Sequence, residues 1–192
     1  MIPARTRFES FAAVHADRPA PEGIDPIDWL QVRLAAWEAR QPFHVASALP
    51  VGAGCSEEAG ELADAESPDE IEDAIGDICI YAGQVATRNR LAMSALFDYA
   101  DELPPICLDP WRELCAAQGK VAHLALKREQ RIRAGALPAE EYRERLALAL
   151  AGLIGAARGV ARGYIASRCY LDTGAKILTR DWRANAVTGC GE

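Results

Sequence analysis

The stretch Cys55-Ser56-Glu57-Glu58-Ala59-Gly60-Glu61-Leu62-Ala63-Asp64, followed by Ser67-Pro68-Asp69-Glu70-Ile71-Glu72-Asp73-Ala74-Ile75-Gly76-Asp77, decides how the chain folds. Nine of these 21 residues are acidic, but apolar residues interrupt them at helical spacing. The pattern therefore reads as two amphipathic helices separated by a tight break. Ser56 is placed to cap the first, with Glu57 and Glu58 in a first turn where the helix dipole favours negative charge. Ser67 caps the second, Pro68 takes its first position, and Glu70 completes a capping box.

Helical spacing then sets the geometry of the acids. Glu58 and Glu61 share one face of the first helix. Glu70, Asp73 and Asp77 share one face of the second, beside an apolar seam of Ile71, Ile75, Ile78, Ala82 and Val85. If the two helices pack antiparallel, both acid pairs meet beside the core. Carboxylates converging there repel unless a cation neutralises them, and hard oxygen ligands suit Mg²⁺ or Mn²⁺.

These residues resemble the MazG family of all-α nucleoside triphosphate pyrophosphohydrolases, whose signature is E-E-x-x-E followed by E-x-x-D on the next helix. The resemblance covers roughly residues 27 to 92. It implies that Glu58, Glu61 and Asp77 are magnesium ligands, that Asp73 or Glu57 assists, and that Tyr81 lies near the nucleotide. The motif's first glutamate on the second helix falls on Ala74 in this chain, and Asp73 stands one residue earlier.

Half of the 192 residues are hydrophobic, alanine is abundant and β-branched runs are short, which favours an all-α fold with a sizeable core. The net charge of −7 argues against a nucleic-acid groove, which needs a basic stripe. It leaves a nucleotide substrate open, because a bound cation reverses the local field. The six cysteines, at 55, 79, 107, 115, 169 and 190, form no C-x-x-C pair, so reduced thiols in a cytoplasmic protein are expected. There is no apolar leader and no 18-residue apolar span, so no membrane association is expected.

Residues 1–26, with several prolines, read as an N-terminal arm. Residues 27–100 form the metal-binding half, 109–183 a second helical half packing on it, and 184–192 a flexible tail. Asp25-Pro26 opens a helix to about Arg40, with Trp29, Leu30, Leu34 and Trp37 on its apolar face. Trp37 is a candidate substrate contact, and His44 a candidate contact to a base edge. Asp73, Asp77, Tyr81, Gln84 and Arg88 fall along one stripe, in which acids would hold metal and Tyr81 and Arg88 would meet the substrate.

Asp109-Pro110 starts a further helix to about Arg133, ending in a basic cluster. Ala139 starts a long one through about Tyr164, with a ridge of Gly152, Gly155, Gly159 and Gly163. This second half reads as a degenerate repeat of the first, without counterparts of Asp73 and Asp77. It would give either a single-chain pseudo-dimer or a homodimer. Lys120 and Lys127 would then face the acid site and hold phosphates. The tail from Ala175 reads as a short helical turn leading into Arg180-Asp181-Trp182, similar to C-terminal segments of phage-type relatives, and Lys176 and Arg180 would close over a triphosphate.

Together these features lead to the expectation of a Mg²⁺-dependent enzyme converting an NTP or dNTP to the monophosphate and pyrophosphate by in-line water attack on the α phosphorus. Glu57 or Asp73 would take the water's proton. No P-loop is present, and no Glu-x-x-His pair of the di-iron bundles occurs. The alternative is a catalytically weakened helical module that binds nucleotide or protein.

Overall fold

In the computed structural model, residues 21–41, 48–104, 109–130 and 137–180 are described. They form seven helices and no strand: α1 (Pro26–Glu38), α2 (Ala48–Asp64), α3 (Pro68–Arg88), α4 (Met93–Glu102), α5 (Pro110–Glu129), α6 (Ala139–Val160) and α7 (Ala166–Thr179). The first 20 residues of the arm, His44, the basic residues Arg131 and Arg133, and the tail from Asp181 lie outside the described residues.

Short-range chemistry sets three of the seven helix starts. The Asp25 carboxylate accepts from the Ile27 N–H at 2.8 Å, and Asp109 accepts from Trp111 and Arg112. In α3 the capping box is complete. Ser67 Oγ accepts from the Glu70 N–H at 3.2 Å, and Glu70 accepts from the Ser67 and Glu66 N–H groups. Arg90 takes a positive φ of 59° and turns the chain from α3 into α4, while Gly163 does so at 98° between α6 and α7.

Two boundaries differ from the sequence reading. α2 starts at Ala48, eight residues before Ser56. Pro50 falls within the first turn, where an N–H has no intrahelical acceptor in any case. Val51 and Cys55 are buried in the core, so tertiary packing carries the helix through Gly52 and Gly54. At the other end, the short turn expected near Ala175 is the end of a 14-residue helix. Its buried residues Ala166, Tyr170, Thr173 and Ile177 recur at spacings of four, three and four.

α3 is the central element. Ala74, Ile75, Ile78, Cys79, Ala82 and Val85 are buried, and one continuous core joins residues of all seven helices. α2 runs antiparallel along one side of α3, and α7 antiparallel along another. The α7 contact is close because two glycines allow it. A Cβ on Gly76 would lie 2.6 Å from Thr173 Cβ and 2.9 Å from the Cys169 carbonyl oxygen, and one on Gly174 would strike Leu30. α1 closes the bundle. The buried Gln31 side chain donates to Thr87 Oγ1 and the Leu91 carbonyl and accepts from the Met93 N–H. α5 and α6 pack against each other and cover the α2–α3 pair. Gln118 of α5 donates to the Cys55 carbonyl at 2.6 Å.

Gly76→Ala should therefore destabilise the fold by about 1–3 kcal/mol through overpacking. Gly60→Ala, where an added Cβ meets nothing within 4 Å, should be neutral or stabilise by up to about 1 kcal/mol. Urea-denaturation midpoints of the two variants check the contrast. A neutral Gly76→Ala would mean that α7 is not held this tightly on α3.

Candidate metal and phosphate site

The antiparallel α2–α3 pair brings carboxylates from both helices together. Glu58 is buried, and Asp77 and Glu61 are close enough to perturb it. Burial is the largest influence on Glu58 and raises its pKa to about 8. Repulsion from Asp77, Glu61 and Glu57 adds to this, and a hydrogen bond with Glu61 favours the protonated form. The half-buried Asp77 is pushed up to about 7, again first by burial. Asp73 and Glu61 raise it further, while Arg180 and Lys176 pull it down. One oxygen of Glu58, Oε2, is buried without a hydrogen-bond partner. Among the described residues, no three acidic, histidine or cysteine side chains already stand in a coordinating arrangement.

A cationic edge borders the acids. Lys176 of α7 donates to Asp73 Oδ1 at 3.0 Å, which raises the lysine's pKa. Arg180, just past the end of α7, lies within electrostatic reach of Asp77. The exposed Glu57 acts on both Glu58 and Tyr81. Tyr81 is half-buried, and its ring lies against Gly54, where a Cβ would come within 2.5 Å of Cζ. Burial, then Glu58 and Glu57, push its phenol up to about 12. Together, Glu57, Glu58, Glu61, Asp73, Asp77, Tyr81, Lys176 and Arg180 form one constellation.

The remaining candidates lie elsewhere. Arg88 is ion-paired with Glu38 of α1, and both side chains are largely buried. That partner is 50 residues away, and no sequence signal marks it. Trp37 is 8% exposed, and its indole N–H donates to the Arg180 carbonyl at 3.4 Å. It thereby ties the end of α7 to α1 and offers no open face for stacking. Lys120 lines a separate cleft between α5 and α6. It lies about 200° around α5 from Gln118, the residue that faces α2. Lys127 donates to Gln130 at the end of α5.

Cys55, Cys79 and Cys169 are buried free thiols and Cys115 is exposed. Burial pushes the Cys55 thiol up to about 12, as for an inert packing residue. No helix of the described residues is long and apolar enough to cross a membrane.

The raised carboxyls make stability depend on pH. Glu58 and Asp77 hold protons in the folded chain at pH values where the unfolded chain has released them. Their contribution is complete below the ordinary carboxylate range and is lost as pH rises through about 7 to 8. Without divalent cations, the melting temperature of Glu58→Gln should therefore gain on wild type as pH rises from 5 to about 8.5. Thermal denaturation across that range checks this, and a constant difference would contradict it. Compared with known proteins, the chain matches no family model, no curated protein and no solved structure.

Proposed function

We propose that the protein is a Mg²⁺-dependent nucleoside triphosphate pyrophosphohydrolase, releasing a nucleoside monophosphate and pyrophosphate. The observation that supports this reading is that Glu58, Glu61 and Asp77 lie within electrostatic reach of one another across the α2–α3 pair, with a buried Glu58 oxygen left without a partner. Such a set is all hard oxygen and strained by its own charge, which fits Mg²⁺ or Mn²⁺. Glu58, Glu61 and Asp77 would hold the ion, with Asp73 a further oxygen donor at the edge. When bound, the ion supplies positive charge that offsets the carboxylates and the phosphate oxygens. The MazG-like spacing of Glu57-Glu58-x-x-Glu61 and Asp77 supports the same assignment.

The chain's own residues divide the remaining work. Lys176 and Arg180 stand where a polyphosphate would meet the acids, and their donors suit phosphate oxygens. Asp73 is occupied by Lys176, whereas Glu57 is exposed beside Glu58. Glu57 is therefore the residue we assign to accept the proton of the attacking water. Tyr81 walls the site and keeps water from the buried side of Glu58. In this reading α5 and α6 are a degenerate counterpart of α2 and α3, covering them within one chain.

The test is pyrophosphate release from the common NTPs and dNTPs with Mg²⁺ or Mn²⁺. Wild type should turn over at least one of them, and Glu61→Ala should lose about 10²-fold or more in kcat. Lys176→Ala should raise KM by about tenfold, the worth of one charge-assisted hydrogen bond. Full activity of Glu61→Ala, or no turnover of any nucleotide, would overturn the enzyme reading. Nucleotide binding without turnover would leave a binding module instead.

A further inference from the structure

A cleft of about 1030 Å³ opens on the second half of the molecule, between α5 and α6, and none of the site carboxylates lines it. The two helices are antiparallel. Arg128, near the end of α5, stands over the Tyr142 ring at the start of α6, 4.6 Å from its centroid. Counting turns back from that contact brings Lys120 and His123 of α5 near the level of Arg145 and Leu148 of α6. The end of α4 closes the other end of the cleft: a Cβ on Gly155 would lie 3.7 Å from both the Ala100 carbonyl oxygen and Leu103 Cδ1. Between the two ends the walls are aliphatic, with Ala116 and Leu124 on α5 facing Leu148, Ala149 and Ala156 on α6. Leu148 is 50% exposed there.

The charge of the lining runs against that of the chain. Five basic side chains, Lys120, His123, Arg145, Arg158 and Arg162, face the cleft against one acid, Glu113, in a protein of net charge −7. At the α4 end the charges are partly offset. Arg158 is paired with Asp101, and Glu113 stands on that side with Arg162, which lies past the end of α6. At the open end they are not. Lys120 and His123 are exposed and make no ion pair among the described residues. Arg145 is held by an exposed pair with Glu141, which is weak and readily given up for a better acceptor.

We propose that the cleft binds an anionic amphiphile. Its carboxylate or phosphate head sits at Lys120, His123 and Arg145, and its alkyl chain lies along the aliphatic walls toward Leu103. The head gains charge-assisted hydrogen bonds, and the chain covers Leu148 and its neighbours.

Other occupants fit less well. No Phe, Tyr or Trp lines the cleft to stack a base. From Arg145 to the α4 stop at Gly155 the open length is about 15 Å, which holds a helical segment too short to be stable on its own. A bare anion would leave the aliphatic walls in water. A second copy would set one basic lining against another.

The experiment is isothermal titration calorimetry of the full chain in EDTA with laurate and with dodecyl phosphate, each kept below its micelle threshold. Both should bind, one per chain. Dodecyl maltoside, the same chain on a neutral head, and inorganic phosphate, a head without a chain, should each bind at least about tenfold more weakly. Lys120→Ala should weaken both anions about tenfold, whereas Arg168→Ala, the same loss of charge on α7, should leave them unchanged. Gly152→Leu, where an added Cβ meets nothing within 4 Å, should keep the wild-type melting temperature and lose binding by filling the cleft. Equal binding of dodecyl maltoside, binding that survives Gly152→Leu, or no binding of either anion would each overturn the proposal. So would affinity for vesicles of anionic lipid without affinity for the single amphiphiles, which would mark a membrane-facing surface. A wild-type dimer in sedimentation that Gly152→Leu dissociates would overturn it too, because a second copy would then cover the cleft.

Discussion

Burial of carboxylates that also repel one another, on helices the fold does not let separate, is the constraint on which the rest depends. Glu58 and Glu61 are fixed on α2, Asp77 on α3, and the Ala65–Ser67 turn returns one helix along the other. The helices cannot drift apart to relieve the charge. Leu62, Ile75 and Ile78 are buried between them and their neighbours, and Gln118 of α5 holds the Cys55 carbonyl from the far side. The remaining outlets are protonation, internal cations, or an external cation. The isolated chain uses the first two: Glu58 and Asp77 shift upward, and Lys176 takes Asp73. We propose that the third is the working state.

α7 links this site to the rest of the molecule. Its buried face packs on α3 through Gly76 and Gly83, with Tyr170 against Phe97 of α4 at a ring separation of 5.7 Å. Its last turn carries the exposed Lys176, Arg180 follows it, and Trp37 of α1 holds the Arg180 backbone. The position of Lys176 is therefore set by core packing more than by its exposed and individually weak ion pair with Asp73.

What could be read from the sequence follows the range of each interaction. The caps at Asp25, Ser67 and Asp109 were legible because a cap is decided within four residues. The shared faces of Glu58 with Glu61 and of Asp73 with Asp77 were legible because helical periodicity alone places them. The early start of α2 was not, since it depends on the long-range packing of the Tyr81 ring against Gly54. The length of α7 was hidden by small and polar residues at buried positions, Thr173 and Gly174 among them. The roles of Arg88 and Trp37 turn on partners 50 and 143 residues away, which no local pattern encodes. The α6 glycine ridge was visible, but not that the end of α4 meets it at Gly155, beside Ala100 and Leu103.

The most direct test is a carbon-detected NMR titration of the Glu58 and Asp77 carboxyls, with and without Mg²⁺. The account predicts midpoints near 8 and 7 without the ion, and a fall of both into or below the ordinary carboxylate range when it is added. Two carboxyls that titrate independently near 4 and ignore Mg²⁺ would contradict it.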